Sequence, residues 1–170
     1  MSENRIDPTV AGLFLVAFIT LVFGLFGIEM GGDLSWGVPA ATLAPVVGLM
    51  FVVFTVSAIR FGNAFAAALF GFVAISLIAV PMIAMVSPFV FYLIFAMYVV
   101  FAIVALLIGA PKLLFILLLL VGLIFLFVGV SSSDAVSDMT WYLAGVFGIL
   151  AGVVALYMAF GLSTQKLPVF

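Results

Sequence analysis

Charge is missing from almost the whole length of this chain, and that constrains its fold more than any other feature. Ten of 170 residues are charged, while 69% are hydrophobic. A soluble domain of this size carries about a quarter charged residues. The charges sit in short clusters, and six apolar runs lie between them. Each run approaches the roughly 20 residues that a helix needs to cross the hydrocarbon core of a bilayer. Mean hydropathy is +1.65. No water-soluble fold hides that much apolar surface, so the lipid bilayer is the expected solvent and partner. The sequence predicts an all-α integral membrane protein of six transmembrane helices, near 10–28, 38–59, 64–85, 89–109, 112–130 and 140–161. They make one transmembrane domain over 1–170 with short loops.

Glycine, proline and the rare charges mark the breaks. Glu29, Gly31, Gly32 and Asp33 separate the first run from the second, and Arg60, Gly62 and Asn63 the second from the third. Ser87 and Pro88 end the third run, and Gly109, Pro111 and Lys112 end the fourth. A polar loop is expected over 131–138. Glycine and proline punctuate through their backbone limits. The first run lacks an A-x-A site after it and follows a tail of mixed charge, so it reads as a retained helix and not a cleaved signal.

With six spans, Arg5, Arg60, Lys112 and Lys166 all fall on one side of the membrane. Glu29, Asp33, Asp134 and Asp138 fall on the other. Basic flanks prefer the cytoplasm, which predicts both termini there and a multi-pass protein of the cell membrane. Trp36 and Trp141, with Tyr142, stand at predicted outer ends. Such rings ordinarily anchor at headgroup level. Stacking on a solute is the other reading.

Histidine and cysteine are both absent. That removes disulfides, thiol nucleophiles, histidine bases and most zinc sites. No charged residue lies deep in a predicted span, so no intramembrane proton relay of carboxylates is available. No cofactor and no enzymatic site are expected. Net charge is −2, which is no footprint for nucleic acid.

The interior polar groups are hydroxyls, among them Thr20, Thr42, Thr55, Ser57, Ser76, Tyr92, Tyr98 and Tyr157. Each alone bonds its own backbone or a neighbouring helix; gathered around a path, they would coordinate a small polar solute. Ala144, Gly148, Gly152, Ala155 and Ala159 form a small-residue face on the last helix, and Ala64, Ala67, Ala68 and Gly71 a shorter one on the third. Close helix packing is the ordinary use of such a face, and room for a solute path is the alternative. Pro39 and Pro45 read as punctuation near the start of the second helix, and Pro81 lies near the end of the third. No internal repeat is evident.

Several ordered motifs resemble the acetate uptake transporter family, of the succinate–acetate permease type. Asp7-Pro8-Thr9-Val10-Ala11-Gly12-Leu13 is similar to the N-P-x-P-L-G-L that precedes the family's first helix. Gly62-Asn63-Ala64-Phe65 resembles its G-N-T-F, again with a basic residue, Arg60, just before. Leu156-Tyr157-Met158-Ala159-Phe160-Gly161 is similar to its I-Y-L-A-M-G, and Leu167-Pro168 to its L-P ending. There are departures. Asp7 replaces Asn, Val10 replaces the second Pro, and Ala58 stands where the family often has Glu. The family's polar F-T-x-Y-G-x-F-W stretch reads Phe70–Ser76 here, with Val73 at the Tyr position. Val16 aligns near an aromatic of the family's constriction.

The resemblance implies a transporter or channel for acetate and related small monocarboxylates, assembled as a homohexamer with one path per protomer. Its candidate path residues are Asp7, Pro8, Gly12, Leu13, Val16, Thr20, Asn63, Phe72, Val73 and Tyr157. Asp7-Pro8 reads equally as a helix-start pair, and Asn63 as a helix cap. A carboxylate in an aliphatic constriction loses its hydration at high cost. Hydroxyls and backbone N–H groups would have to replace that water, or the solute would have to cross as its neutral acid. A channel for urea or ammonia, and a membrane scaffold subunit, are the rival readings.

Overall fold

A computed structural model describes residues 8–29, 37–83, 87–133 and 137–164, with side chains described over 8–28, 42–79, 87–132 and 139–164. The described chain is six α-helices: α1 (Pro8–Glu29), α2 (Gly37–Arg60), α3 (Ala64–Ile83), α4 (Phe89–Leu107), α5 (Lys112–Ser133) and α6 (Ser137–Thr164). Five of them, all but α3, are long and apolar enough to cross a membrane. In α3 the apolar stretch Ala64–Ala79 is shorter. By helix composition this is a multi-pass membrane protein. A helix is the form such a segment must take, because it satisfies every backbone group internally where no water reaches.

The outer surface is as apolar as the interior. Ile75 is 67% exposed and Leu107 80%, whereas Ala17, Phe51, Ala102, Ala151 and Ala155 are sealed inside. Burial therefore does not sort polar from apolar here. Alanines, several Leu, Ile and Val side chains and a few rings fill the inside, where the helices meet.

Consecutive neighbours run antiparallel. Phe51 of α2 packs on Phe70 of α3 at 5.9 Å between ring centres, and Phe65 of α3 on Phe101 of α4 at 6.2 Å. Phe127 of α5 stacks on Phe147 of α6 at 5.4 Å. Phe14, early in α1, meets Phe160, late in α6, at 5.2 Å. Arg60 ends α2 and Lys112 begins α5, so both cations share one end of the bundle. At that end two hairpins close with the same turn. Gly62 and Gly109 adopt φ of +73° and +71°, which a side chain would strain. In the first turn the Asn63 N–H donates to the Ala58 carbonyl and the Gly62 N–H to Ile59. In the second, the Ala110 N–H donates to Ala105 and the Gly109 N–H to Leu106. Both are Schellman caps, which satisfy the last carbonyls of a helix.

Two sequence expectations are corrected. Ser131–Ser133 belongs to α5 and Ser137–Asp138 to α6, not to a loop. The Ser131 and Ser132 hydroxyls donate to the Val128 carbonyl at 3.0 and 2.8 Å, so these serines continue the helix. Pro45 lies inside α2. It has no N–H for the carbonyl four residues back and so leaves that ladder bond unmade. Of the α3 small-residue face, Ala67 is buried within the chain and Gly71 partly so, while Ala64 and Ala68 are exposed; Ala66 and Ala74 are also buried on this helix.

The α6 face is a packing face, and α1 fills it. A β-carbon on Gly24 would sit 2.6 Å from the Ile149 backbone nitrogen. One on Gly148 would sit 2.8 Å from the Gly24 Cα, and one on Gly145 2.8 Å from the Gly24 carbonyl oxygen. Backbone thus touches backbone along Gly24, Gly27, Gly145 and Gly148, the close approach that small residues permit. Gly24→Ala should lower stability by about 1–3 kcal/mol, the usual cost of overpacking, read as loss of folded protein in a denaturant titration in detergent. Gly71→Ala serves as the control. Its methyl would lie at ordinary contact, 3.5 Å from Thr55 Cγ2, and should be tolerated.

Candidate functional site

One stripe of α1 packs against α6, and the adjoining stripe faces inward. Leu13, Val16 and Thr20 recur on it at three- and four-residue spacing. Together with α3, α4 and α5 they enclose a cavity of about 90 Å³. Phe70 and Val73 line it from α3, and Tyr98 from α4. The longest wall is α5, where Leu114, Leu117, Leu118, Val121, Ile124 and Phe125 follow the same helical spacing.

Four of the sequence-predicted path residues meet at this cavity: Leu13, Val16, Thr20 and Val73. Two more support it from behind. A β-carbon at Gly12 would collide with the Phe70 ring, so Gly12 makes the space in which that ring reaches the cavity. Phe72 packs edge-on against Tyr98 at 5.3 Å between ring centres. Pro8 is buried at the first position of α1, where its missing N–H costs nothing. Tyr157 is 37% exposed on α6, away from the cavity. Asn63 is exposed, and its Oδ1 accepts from the Ala66 N–H at 3.0 Å, which makes it the cap of α3. Asp7 lies outside the described residues, as do Arg5, Asp33, Trp36, Asp134, Lys166, Leu167 and Pro168.

The small face of α6 does not line the cavity, because α1 covers it. A solute path along that face has no room. Conversely, the motifs give no hint of the α5 wall. Its signal is the spacing of leucines at 114, 117 and 118, but in so apolar a helix every face shows such a pattern.

Only two lining side chains carry a polar group, the hydroxyls of Thr20 and Tyr98. Thr20 Oγ1 donates to the Val16 carbonyl at 2.7 Å and lies 3.2 Å from that of Ala17. Thr55 does the same one helix over, donating to Phe51 at 2.8 Å. These are the helix back-bonds expected of a lone threonine in lipid. Tyr98 differs. It is 2% exposed, and its hydroxyl has no hydrogen-bond partner among the described residues. The Phe125 ring stacks on it at 5.6 Å, within 14° of parallel, and Phe72 abuts it on another side. Ser76 is also buried without a partner among the described residues, but it does not line the cavity. Among the described residues no cluster of His, Cys, Asp or Glu is positioned to hold a metal.

Asn63→Ala should cost about 1 kcal/mol of stability through loss of the cap, and Asn63→Asp should restore most of it. Unfolding titrations of the two variants side by side check this.

No protein-family model matches the sequence and no curated protein matches it either, so neither comparison supplies a function.

Proposed function

We propose that the chain is a membrane transporter or channel for acetate and related small monocarboxylates, with the proton crossing on the solute. One observation carries this reading: a small, uncharged cavity enclosed between four apolar helices. The residues picked out by the permease resemblance add support, since Leu13, Val16, Thr20 and Val73 line that cavity and Gly12 shapes it. No cation lines it to pair with a carboxylate. An anion there would lose its hydration without compensation, whereas a neutral acid would not. In this reading α3 is the sixth span and both termini face the cytoplasm across the cell membrane. The shared end of Arg60 and Lys112 supports that orientation. The resemblance implies a homohexamer.

The same uncharged lining also favours a second reading, a channel for a neutral solute such as urea or ammonia. Proteoliposomes separate the two. Labelled acetate uptake should rise as pH falls at fixed acetate anion, and urea should cause little swelling. Uptake indifferent to proton concentration would sink the neutral-acid route. Urea swelling without acetate uptake would transfer the assignment to the second reading, and flux of neither solute would leave a scaffold subunit. Val73→Leu, which extends a side chain into the cavity, should slow acetate uptake while the purified protein keeps its helicity by circular dichroism.

A further inference from the structure

We infer that the seam between α1 and α2 is a binding groove for an anionic phospholipid, with an acyl chain in the groove and the phosphate at Arg60. The site lies on the outside of the bundle and goes beyond the transport reading, on which it does not depend.

The groove follows from how the two helices are clamped. The glycines of α1 hold it to α6, and α2 is held to α3. There a β-carbon on Gly48 would sit 2.7 Å from Ile78 Cγ1 and 3.0 Å from the Ala74 carbonyl oxygen. α1 and α2 touch each other far less than they touch these partners. The seam left between them is a groove of about 440 Å³, open to the side. Ala11, Phe14 and Phe18 line it from α1, and Met50, Val53 and Phe54 from α2. Two of the rings are held from behind. Phe14 meets Phe160 edge-on at 5.2 Å, and Phe54 packs on Phe51 and Phe70, each at 6.2 Å. The groove is thus formed before anything enters it. Phe18, Met50 and Val53 are at least half exposed along it.

No polar side chain lines this groove, so water gains no partners there. Left empty, both walls would forfeit their dispersion contacts. An acyl chain is the apolar occupant that a bilayer supplies. Depth agrees. Met50 lies ten residues before Arg60, about 15 Å along the helix. That is the depth of one leaflet, half of the roughly 30 Å hydrocarbon core. α1 begins at the same end with Pro8, so its groove residues occupy the same half of the bilayer.

Arg60 selects the headgroup. It closes α2 seven residues after Val53, and so continues that face of the helix beyond the groove. It is exposed and pairs with no described residue. A guanidinium at headgroup level binds phosphate oxygens through its fork of N–H donors. A net-anionic lipid keeps the full attraction, whereas the phosphate of phosphatidylcholine has its own ammonium beside it.

The test uses the full chain in detergent with equal amounts of phosphatidylglycerol and phosphatidylcholine of the same acyl chains. Native mass spectrometry counts the lipid retained per protomer. Phosphatidylglycerol should be retained about 5-fold over phosphatidylcholine, the preference that one basic residue near a membrane surface confers. Arg60→Gln should abolish that preference. Lys112→Gln, at the same end of the bundle but away from the groove, should keep it. Val53→Trp puts bulk at an exposed position of the groove and should retain one lipid fewer per protomer, of either kind, with helicity unchanged by circular dichroism. Absence of any preference in the unaltered chain overturns the proposal. Equal loss in Arg60→Gln and Lys112→Gln also overturns it, since that is diffuse attraction to a basic face. Unchanged retention in Val53→Trp overturns it as well, and if that variant splits an oligomer the groove belongs to a second copy of the chain.

Discussion

Contact between the backbones of α1 and α6 is the interaction on which the rest of the bundle depends. In lipid the hydrophobic effect gives two apolar helices no reason to leave the acyl chains for each other. Close packing must supply the attraction, and dispersion falls away steeply with distance. Gly24, Gly27, Gly145 and Gly148 remove the side chains that would hold the helices apart. With that stripe of α1 sealed, the next stripe around carries Leu13, Val16 and Thr20 to the cavity. The site is thus a by-product of how α1 is clamped.

The architecture was legible because lipid simplifies the code. A run of about 20 apolar residues has one stable form, and Gly62, Gly109, Asn63 and Lys112 mark its ends as the sequence suggests. Element edges were less legible where serines were involved. Ser131 and Ser132 look like loop residues until their hydroxyls are seen back-bonded to Val128. Interior arrangement was hardest to read, since α4 and α5 are apolar on every face. Amphipathic periodicity tells which side of a soluble helix is buried, and here that signal is absent. Small residues replace it. The α6 stripe at 144, 148, 152, 155 and 159 pointed to a packing face, while its partner on α1, Gly24 and Gly27, was not anticipated.

Residue type also proved a weak guide to which hydroxyls matter. Thr20 and Tyr98 looked alike in the sequence, as isolated polar groups in apolar runs. A threonine reaches its own helix carbonyl and satisfies itself. A phenol holds its hydroxyl too far from the backbone to do so, and depends on what lies opposite. Tyr98 lines the cavity together with α1, α3 and α5, whose lining side chains are aliphatic or aromatic apart from Thr20. Long polar side chains in a membrane core are therefore more informative than short ones.

The two Schellman turns and the α1–α6 contact differ in how far along the chain their partners lie. Each turn joins neighbouring helices, so α2–α3 and α4–α5 are hairpins that close from local sequence alone. The α1–α6 contact joins elements with four helices between them. The hairpins depend on contacts between neighbours in the chain, whereas the α1 glycine stripe needs α6. Only with α6 packed on that stripe are Leu13, Val16 and Thr20 held in place. The cavity therefore depends on a helix, α6, that contributes no residue to its wall.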